Sequence, residues 1–110
     1  MVFQLRQGQD FEQLLEQSKT SSVLIFKHST QCPISSQAYE EFTDFVEGVP
    51  GLTCGAVLVI ENRRLSNAIA ERFGVRHESP QAILIRNGRS KWSASHWSIT
   101  AKALTEALEK

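Results

Sequence analysis

Residues 23–35 read VLIFKHSTQCPIS. Four consecutive apolar residues, Val23 to Phe26, show no alternation, the pattern of a short strand covered on both faces. A polar turn, Lys27 to Gln31, follows the run. Proline then suits the first turn of a helix, where its missing N–H leaves no bond unmade. The spacing predicts a strand that ends near Lys27 and a helix that opens at Cys32. At such a helix start the free backbone N–H groups and the positive end of the dipole favour a thiolate over a thiol. A cysteine so placed is suited to react.

Outward from this stretch the chain alternates strands and helices. Towards the N-terminus, Val2, Phe3 and Leu5 suggest a short strand. Asp10 reads as an N-cap with Gln13 completing a capping-box-like pair, so a first amphipathic helix is predicted over about residues 10–18, with Phe11, Leu14 and Leu15 inward. Beyond Cys32, residues Ala38, Tyr39, Phe42, Phe45 and Val46 recur at helical spacing, and Gly48-Val49-Pro50-Gly51 stops the helix. Leu52 to Ile60 predicts a buried strand. A helix over about residues 62–73 follows, with Leu65, Ala68, Ile69 and Phe73 inward and Gly74 as its stop. Ala82 to Ile85 is a fourth strand. Asn87-Gly88, in which both turn positions favour positive φ, folds it back on a fifth over Ser90 to Ser95. Thr100 is a good N-cap for a last helix that buries Leu104 and Leu108. The order β-α-β-α-β-α-β-β-α is that of an α/β domain with an antiparallel hairpin at one end.

Length and composition bound the function. With 110 residues there is material for one domain, 1–110, and one core. Hydrophobic content of 41% and charged content of 22% are those of an ordinary globular protein. Twelve basic and twelve acidic side chains balance, which removes the basic face that nucleic acid or an anionic membrane needs. MVFQLRQGQD has no apolar signal core, and the apolar runs are too short to span a bilayer. The expected location is therefore cytoplasmic, where thiols stay reduced and two cysteines read as reactive or buried groups rather than a staple.

The element order with a cysteine at the second helix start is similar to the thioredoxin fold, a central mixed five-stranded sheet flanked by four helices. Phe73-Gly74-Val75-Arg76, then a proline, an apolar strand and Asn87-Gly88, resemble the second half of thioredoxin. The active-site residues are different, because Cys32-Pro33-Ile34-Ser35 replaces a Cys-x-x-Cys pair. His28-Ser29-Thr30 ahead of that tetrapeptide, His77-Glu78-Ser79-Pro80-Gln81, and Ser95-His96 before Ile99-Thr100 together resemble the monothiol bacilliredoxin (YtxJ-type) family. That resemblance implies a redox enzyme that removes bacillithiol from mixed disulfides through Cys32. It implies no resident cofactor, a low-molecular-weight thiol as co-substrate, S-thiolated client proteins, and a reducing thiol or protein as partner.

In that reading Ser35 stands where a resolving cysteine would be, and its hydroxyl or N–H is a candidate donor to the Cys32 sulfur. Its alternative is an ordinary first-turn serine satisfying the backbone. Pro80 is implied to be a cis-proline facing Cys32, with Ser79 offering its N–H and C=O so that a client adds beside it like a strand. Thr30, Gln31 and Pro33 on one side, and His96 and Trp97 on the other, are the expected borders of the substrate groove. Trp92 reads as packing. Cys54, which inherits no role from the family, reads as a packing cysteine at the far end of the sheet; its alternative is a distant resolving thiol. His28, His77 and His96 show no metal-ligand spacing with Cys32 and read as surface or hydrogen-bonded histidines.

Three other functions compete. A monothiol glutaredoxin-like iron–sulfur carrier would hold a cluster on one cysteine per subunit, but Pro33 obstructs the approach of backbone to cluster. A thioredoxin-like module without turnover is the second. A peroxidase is the third, and it lacks a nearby arginine or upstream proline to complete its site.

Overall fold

The second strand sits at the centre because both its faces are apolar. In the computed structural model, which describes residues 2–110, this strand, β2 (Val23–His28), is buried from Val23 through Lys27. The other elements are β1 (Val2–Gln4), α1 (Gly8–Gln17), α2 (Pro33–Glu47), β3 (Thr53–Leu58), α3 (Arg63–Phe73), β4 (Gln81–Arg86), β5 (Arg89–Ser95), a short 3-10 turn His96–Ser98 and α4 (Ala101–Glu109). The strands form one mixed sheet in the order β1-β3-β2-β4-β5. β3 runs parallel to both β1 and β2, while β4 runs antiparallel to β2 and β5 antiparallel to β4. The predicted α/β architecture of five strands and four helices is the one observed.

Alternation along the strands splits the core in two. Leu24, Phe26, Cys54, Ala82 and Leu84 face α2 and α4, where they meet Phe42, Phe45 and Leu104. Val23, Ile25, Val57, Ile83 and Ile85 face α1 and α3, against Phe11, Leu14, Leu65 and Ile69. Gly55 lets α1 lie close on the sheet, since a Cβ there would stand 2.5 Å from a Leu14 methyl. The hairpin turn at Asn87 and Gly88 takes φ of 55° and 71°, as the dipeptide predicts.

Several local expectations change. The strand runs one residue past its predicted end near Lys27 and takes in His28, because β2 pairs with β3 through His28↔Leu58 and with β4 through Lys27↔Gln81. Helix α1 begins earlier than predicted: Gln7 is its N-cap, and Asp10, at the third helical position, accepts from the N–H groups of Arg6 and Gln7 at 2.9 and 3.1 Å. The carboxylate thus caps from within the helix. On α3, Ser66 and Ala70 turn inward and Ala68 outward. On α4, Ala107 is buried and Leu108 only half so; Thr100 caps as predicted, accepting from the Ala103 N–H at 3.1 Å. Among the described residues no helix is long and apolar enough to cross a membrane.

Cys54 lies wholly inside the sheet, paired with Val2 on one side and Leu24 on the other. Burial pushes its thiol pKa up to about 12. One thiol, Cys32, is expected to react with a chromogenic reagent in the native protein and both in denaturant. Cys54→Ser places a hydroxyl in this dry position, and urea unfolding should show a loss of about 1–3 kcal/mol.

Candidate active site

Helix α2 starts where the sequence predicts. Cys32 is its N-cap, in extended conformation at φ −118° and ψ 118°, and Pro33 occupies the first helical turn. The cysteine side chain makes no capping hydrogen bond. Cys32 N–H donates to Ser29 C=O at 3.3 Å, closing the turn, and Ser36 N–H returns to Cys32 C=O at 3.1 Å. The N–H groups of Ile34 and Ser35 find no backbone acceptor among the described residues. Cys32 is part-exposed and both cysteines are free thiols. Thr30, Gln31 and Pro33 are exposed around it. A part-exposed cysteine thus stands at a helix start whose first N–H donors are uncommitted.

Ser35 behaves differently from the expectation for its hydroxyl. It is wholly buried, and its Oγ accepts from the Ser29 N–H at 2.9 Å while lying 2.7 Å from His28 Nδ1. The oxygen is thus engaged by His28 and by the chain leading into Cys32, and among the described residues no hydrogen bond joins it to the sulfur. What remains available to the sulfur from Ser35 is its N–H. His28 in turn stacks on Tyr39 of α2, with ring centroids 4.6 Å apart and planes 14° from parallel. Burial lowers the His28 pKa, with Glu61 opposing, so the ring is neutral at pH 7 and the Ser35 bond is one between neutral groups.

The facing loop precedes β4. The Ser79–Pro80 peptide is cis, as the family resemblance implies. Because Lys27 pairs with Gln81, the start of β4 lies at the same end of the sheet as the exit of β2 towards Cys32. Ser79 has no backbone partner for its N–H or C=O among the described residues. Pro80 is buried, and its C=O accepts from the His96 N–H at 3.1 Å, which ties the turn after β5 to this loop. His96 takes the left-handed conformation at φ 53°, and Trp97 beside it is 64% exposed, the most exposed of the large apolar side chains. Trp92, on the edge strand β5, packs against the core on the α2 side.

Sequence reasoning missed one participant. Lys27, assigned to a polar turn, is fully buried, and its Nζ lies 3.0 Å from His77 Nδ1. Ser66 Oγ of α3 approaches the same nitrogen at 3.4 Å. The signal was present: Lys27 continues the parity of Val23 and Ile25 at the end of an unbroken buried run. Burial lowers its pKa to about 8, and burial together with Lys27 and Arg63 lowers that of His77.

Comparison with known proteins agrees with this geometry at two levels. The fold is that of thioredoxin. Thioredoxin from Fasciola hepatica matches at a TM-score of 0.79 with 15% identity, over 97% of this chain and 96% of that one. Reduced thioredoxin pre-protein from Schistosoma mansoni matches at 0.77 with 20% identity, over 98% and 95%. A solved protein with a thioredoxin fold, described as a candidate oxidoreductase, is similar at 0.90 with 35% identity, over 99% of this chain and 94% of that one. The family described as monothiol bacilliredoxin BrxC matches residues 3–104. The chain belongs to the monothiol bacilliredoxin family, and so to the thioredoxin-like thiol oxidoreductases.

Two measurements probe the buried polar groups. Ser35→Ala strips the Ser29 N–H and His28 Nδ1 of their shared partner, and the denaturant midpoint should fall by the equivalent of about 1–3 kcal/mol. For Lys27 the folded pKa of about 8 lies below the ordinary value of 10.5. The unfolded chain therefore binds more protons between those pH values, and the burial penalty is complete below pH 8 and fades as pH rises to 10.5. The stability of Lys27→Met relative to the natural protein should accordingly be greatest below pH 8 and decline as pH rises.

Proposed function

We propose that this protein is a monothiol thiol–disulfide oxidoreductase that removes a low-molecular-weight thiol, bacillithiol by family kinship, from S-thiolated proteins. The observation that carries the reading is the contrast between the two cysteines: Cys32 part-exposed at an open helix start, Cys54 sealed in the sheet. The Cys32 thiolate attacks the small-thiol sulfur of a client mixed disulfide. The client sulfur leaves as a thiolate and takes up a proton, and the small thiol is now disulfide-bonded to Cys32. With a serine at position 35 no second thiol lies in the motif to resolve it. A thiol from solution or from a reducing partner protein attacks next, forms a disulfide with the carried group, and releases Cys32 as thiolate. No resident cofactor enters either step.

The surrounding residues fit these roles. Ser35 contributes by its N–H at the helix start, and by holding Ser29 and so the path of the chain into Cys32. Ser79, with its peptide groups uncommitted, offers the client backbone an edge beside cis-Pro80. In this reading exposed Thr30, Gln31 and Pro33 border the client on the helix side, and His96, tied to Pro80, with exposed Trp97 borders it on the other. The chemistry suits a compartment with a pool of reduced small thiol, such as the cytoplasm. Pro33, which removes an N–H at the first helical turn, weighs against cluster carriage.

Incubation with oxidised small thiols followed by intact mass measurement is the direct test. An adduct of one small thiol per chain, lost in Cys32→Ser and retained in Cys54→Ser, is expected, and turnover on an S-thiolated protein should vanish with Cys32. Turnover that survives in Cys32→Ser would overturn the mechanism.

A further inference from the structure

A lysine buried in the central strand of a sheet demands a reason. An apolar residue of similar volume at such a site is often neutral or stabilising, because an ammonium loses its hydration on burial. Among the described residues no carboxylate pairs with Lys27; its one side-chain partner is a neutral acceptor, His77 Nδ1. An ammonium can only donate, so this nitrogen must accept and the ring proton must sit on Nε2.

The position of His77 gives the contact its meaning. His77 lies three residues before cis-Pro80, in the segment between the left-handed stop of α3 at Gly74 and the start of β4. A second tie comes from the same face of the sheet: Gln81, the cross-strand neighbour of Lys27, donates from Nε2 to the Arg76 C=O at 2.9 Å. Two buried side chains of adjacent strands thus hold consecutive residues of this loop, one by its side chain and one by its carbonyl. Ser79 Oγ and Gln81 Oε1 are buried in the same region without a protein partner, so the loop has few other polar anchors.

We propose that Lys27 and His77 are positioning residues, a buried latch that fixes the Ser79–Pro80 edge at the height of Cys32 so that a disulfide-bearing client docks in register. The inference rests on the oxidoreductase reading above and deepens it. Lys27 and Cys32 belong to one continuous run of chain, from the end of β2 into the start of α2. The latch therefore references the docking edge to the same segment that carries the nucleophile. It acts on where the client lies and leaves the intrinsic reactivity of the sulfur alone.

The test separates docking from chemistry. In Lys27→Met, KM for an S-thiolated protein should rise on the order of tenfold, equivalent to about 1.4 kcal/mol, with kcat little changed. Alkylation of Cys32 by a small reagent should stay within about twofold of the natural rate, as expected where uniform binding alone is lost. His77→Gln, whose amide oxygen can still accept from Lys27, should keep a near-natural KM. Unchanged KM in Lys27→Met would reduce Lys27 to a tolerated core residue, and equal loss in alkylation would place its effect on the sulfur; either overturns the latch. Independently of any activity, the ring nitrogen NMR shifts of His77 in the natural protein should report the Nε2–H tautomer at neutral pH, and the amide of His96, which donates to the Pro80 C=O, should exchange faster in Lys27→Met. An Nδ1–H tautomer, or unaltered exchange, sinks the latch even where the natural protein turns over. No turnover by the natural protein, with the tautomer and exchange as expected, would instead refute the oxidoreductase reading and leave the latch standing.

Discussion

A strand covered by helices on both faces cannot carry an unpartnered polar side chain, and β2 ends in two. Lys27 points to the α3 side and His28 to the α2 side, and each finds one neutral partner there, His77 and Ser35. These two bonds join the three segments that make the site: the strand exit, the first turn of α2 and the loop before cis-Pro80. A bond between buried neutral groups, or from a buried ammonium to a neutral nitrogen, is worth more in this dry setting than at the surface. Leaving either partner alone would cost the full desolvation of the group. The site is thereby held from beneath by two wholly buried groups, Lys27 and Ser35, each bonded to a part-buried histidine.

The helix start shows a different compromise. Serine, threonine or aspartate is the favoured residue at an N-cap because a side-chain oxygen satisfies one of the free N–H groups. Thr100 does so for α4. Cys32 does not for α2, and the loss relative to a good cap is on the order of 1 kcal/mol. The first N–H donors of α2 are left free beside the cysteine. Tyr39 and Phe42, stacked with His28 and Phe26, supply packing close to the site that compensates for the open end.

The separation of the two thiols follows from the sheet itself. Cys54 is level with Leu24 and the strand rises about 3.3 Å per residue. The strand therefore climbs roughly 13 Å by His28, well beyond the ~7 Å within which Cα atoms of a disulfide must lie. Resolution of a Cys32 adduct by Cys54 would need β3 to leave the sheet. Monothiol character is in this sense a consequence of topology as well as of Ser35.

By itself the sequence determined the element order, the start of α2 at Cys32, the hairpin at Asn87-Gly88 and the Thr100 cap, because each is set by contacts within a few residues. Apolar periodicity, the fixed φ of proline and the positive φ open to asparagine and glycine act locally, and the Cys-Pro-Ile-Ser and Glu-Ser-Pro segments were enough to point to the family. Tertiary structure alone decided what lies beneath the site. Lys27 reads as a turn residue because a charged side chain is ordinarily solvated; only a partner fifty positions away makes its burial tolerable. The Ser35 hydroxyl, one turn from Cys32 along the helix, is claimed by His28 and the Ser29 N–H because β2 delivers them directly beneath it. Asp10 looked like the residue that opens α1, yet it caps from the third position once Arg6 and Gln7 turn their N–H groups towards it. In each case the deciding contact is a hydrogen bond between groups whose burial is fixed only when the sheet and its helices close over them.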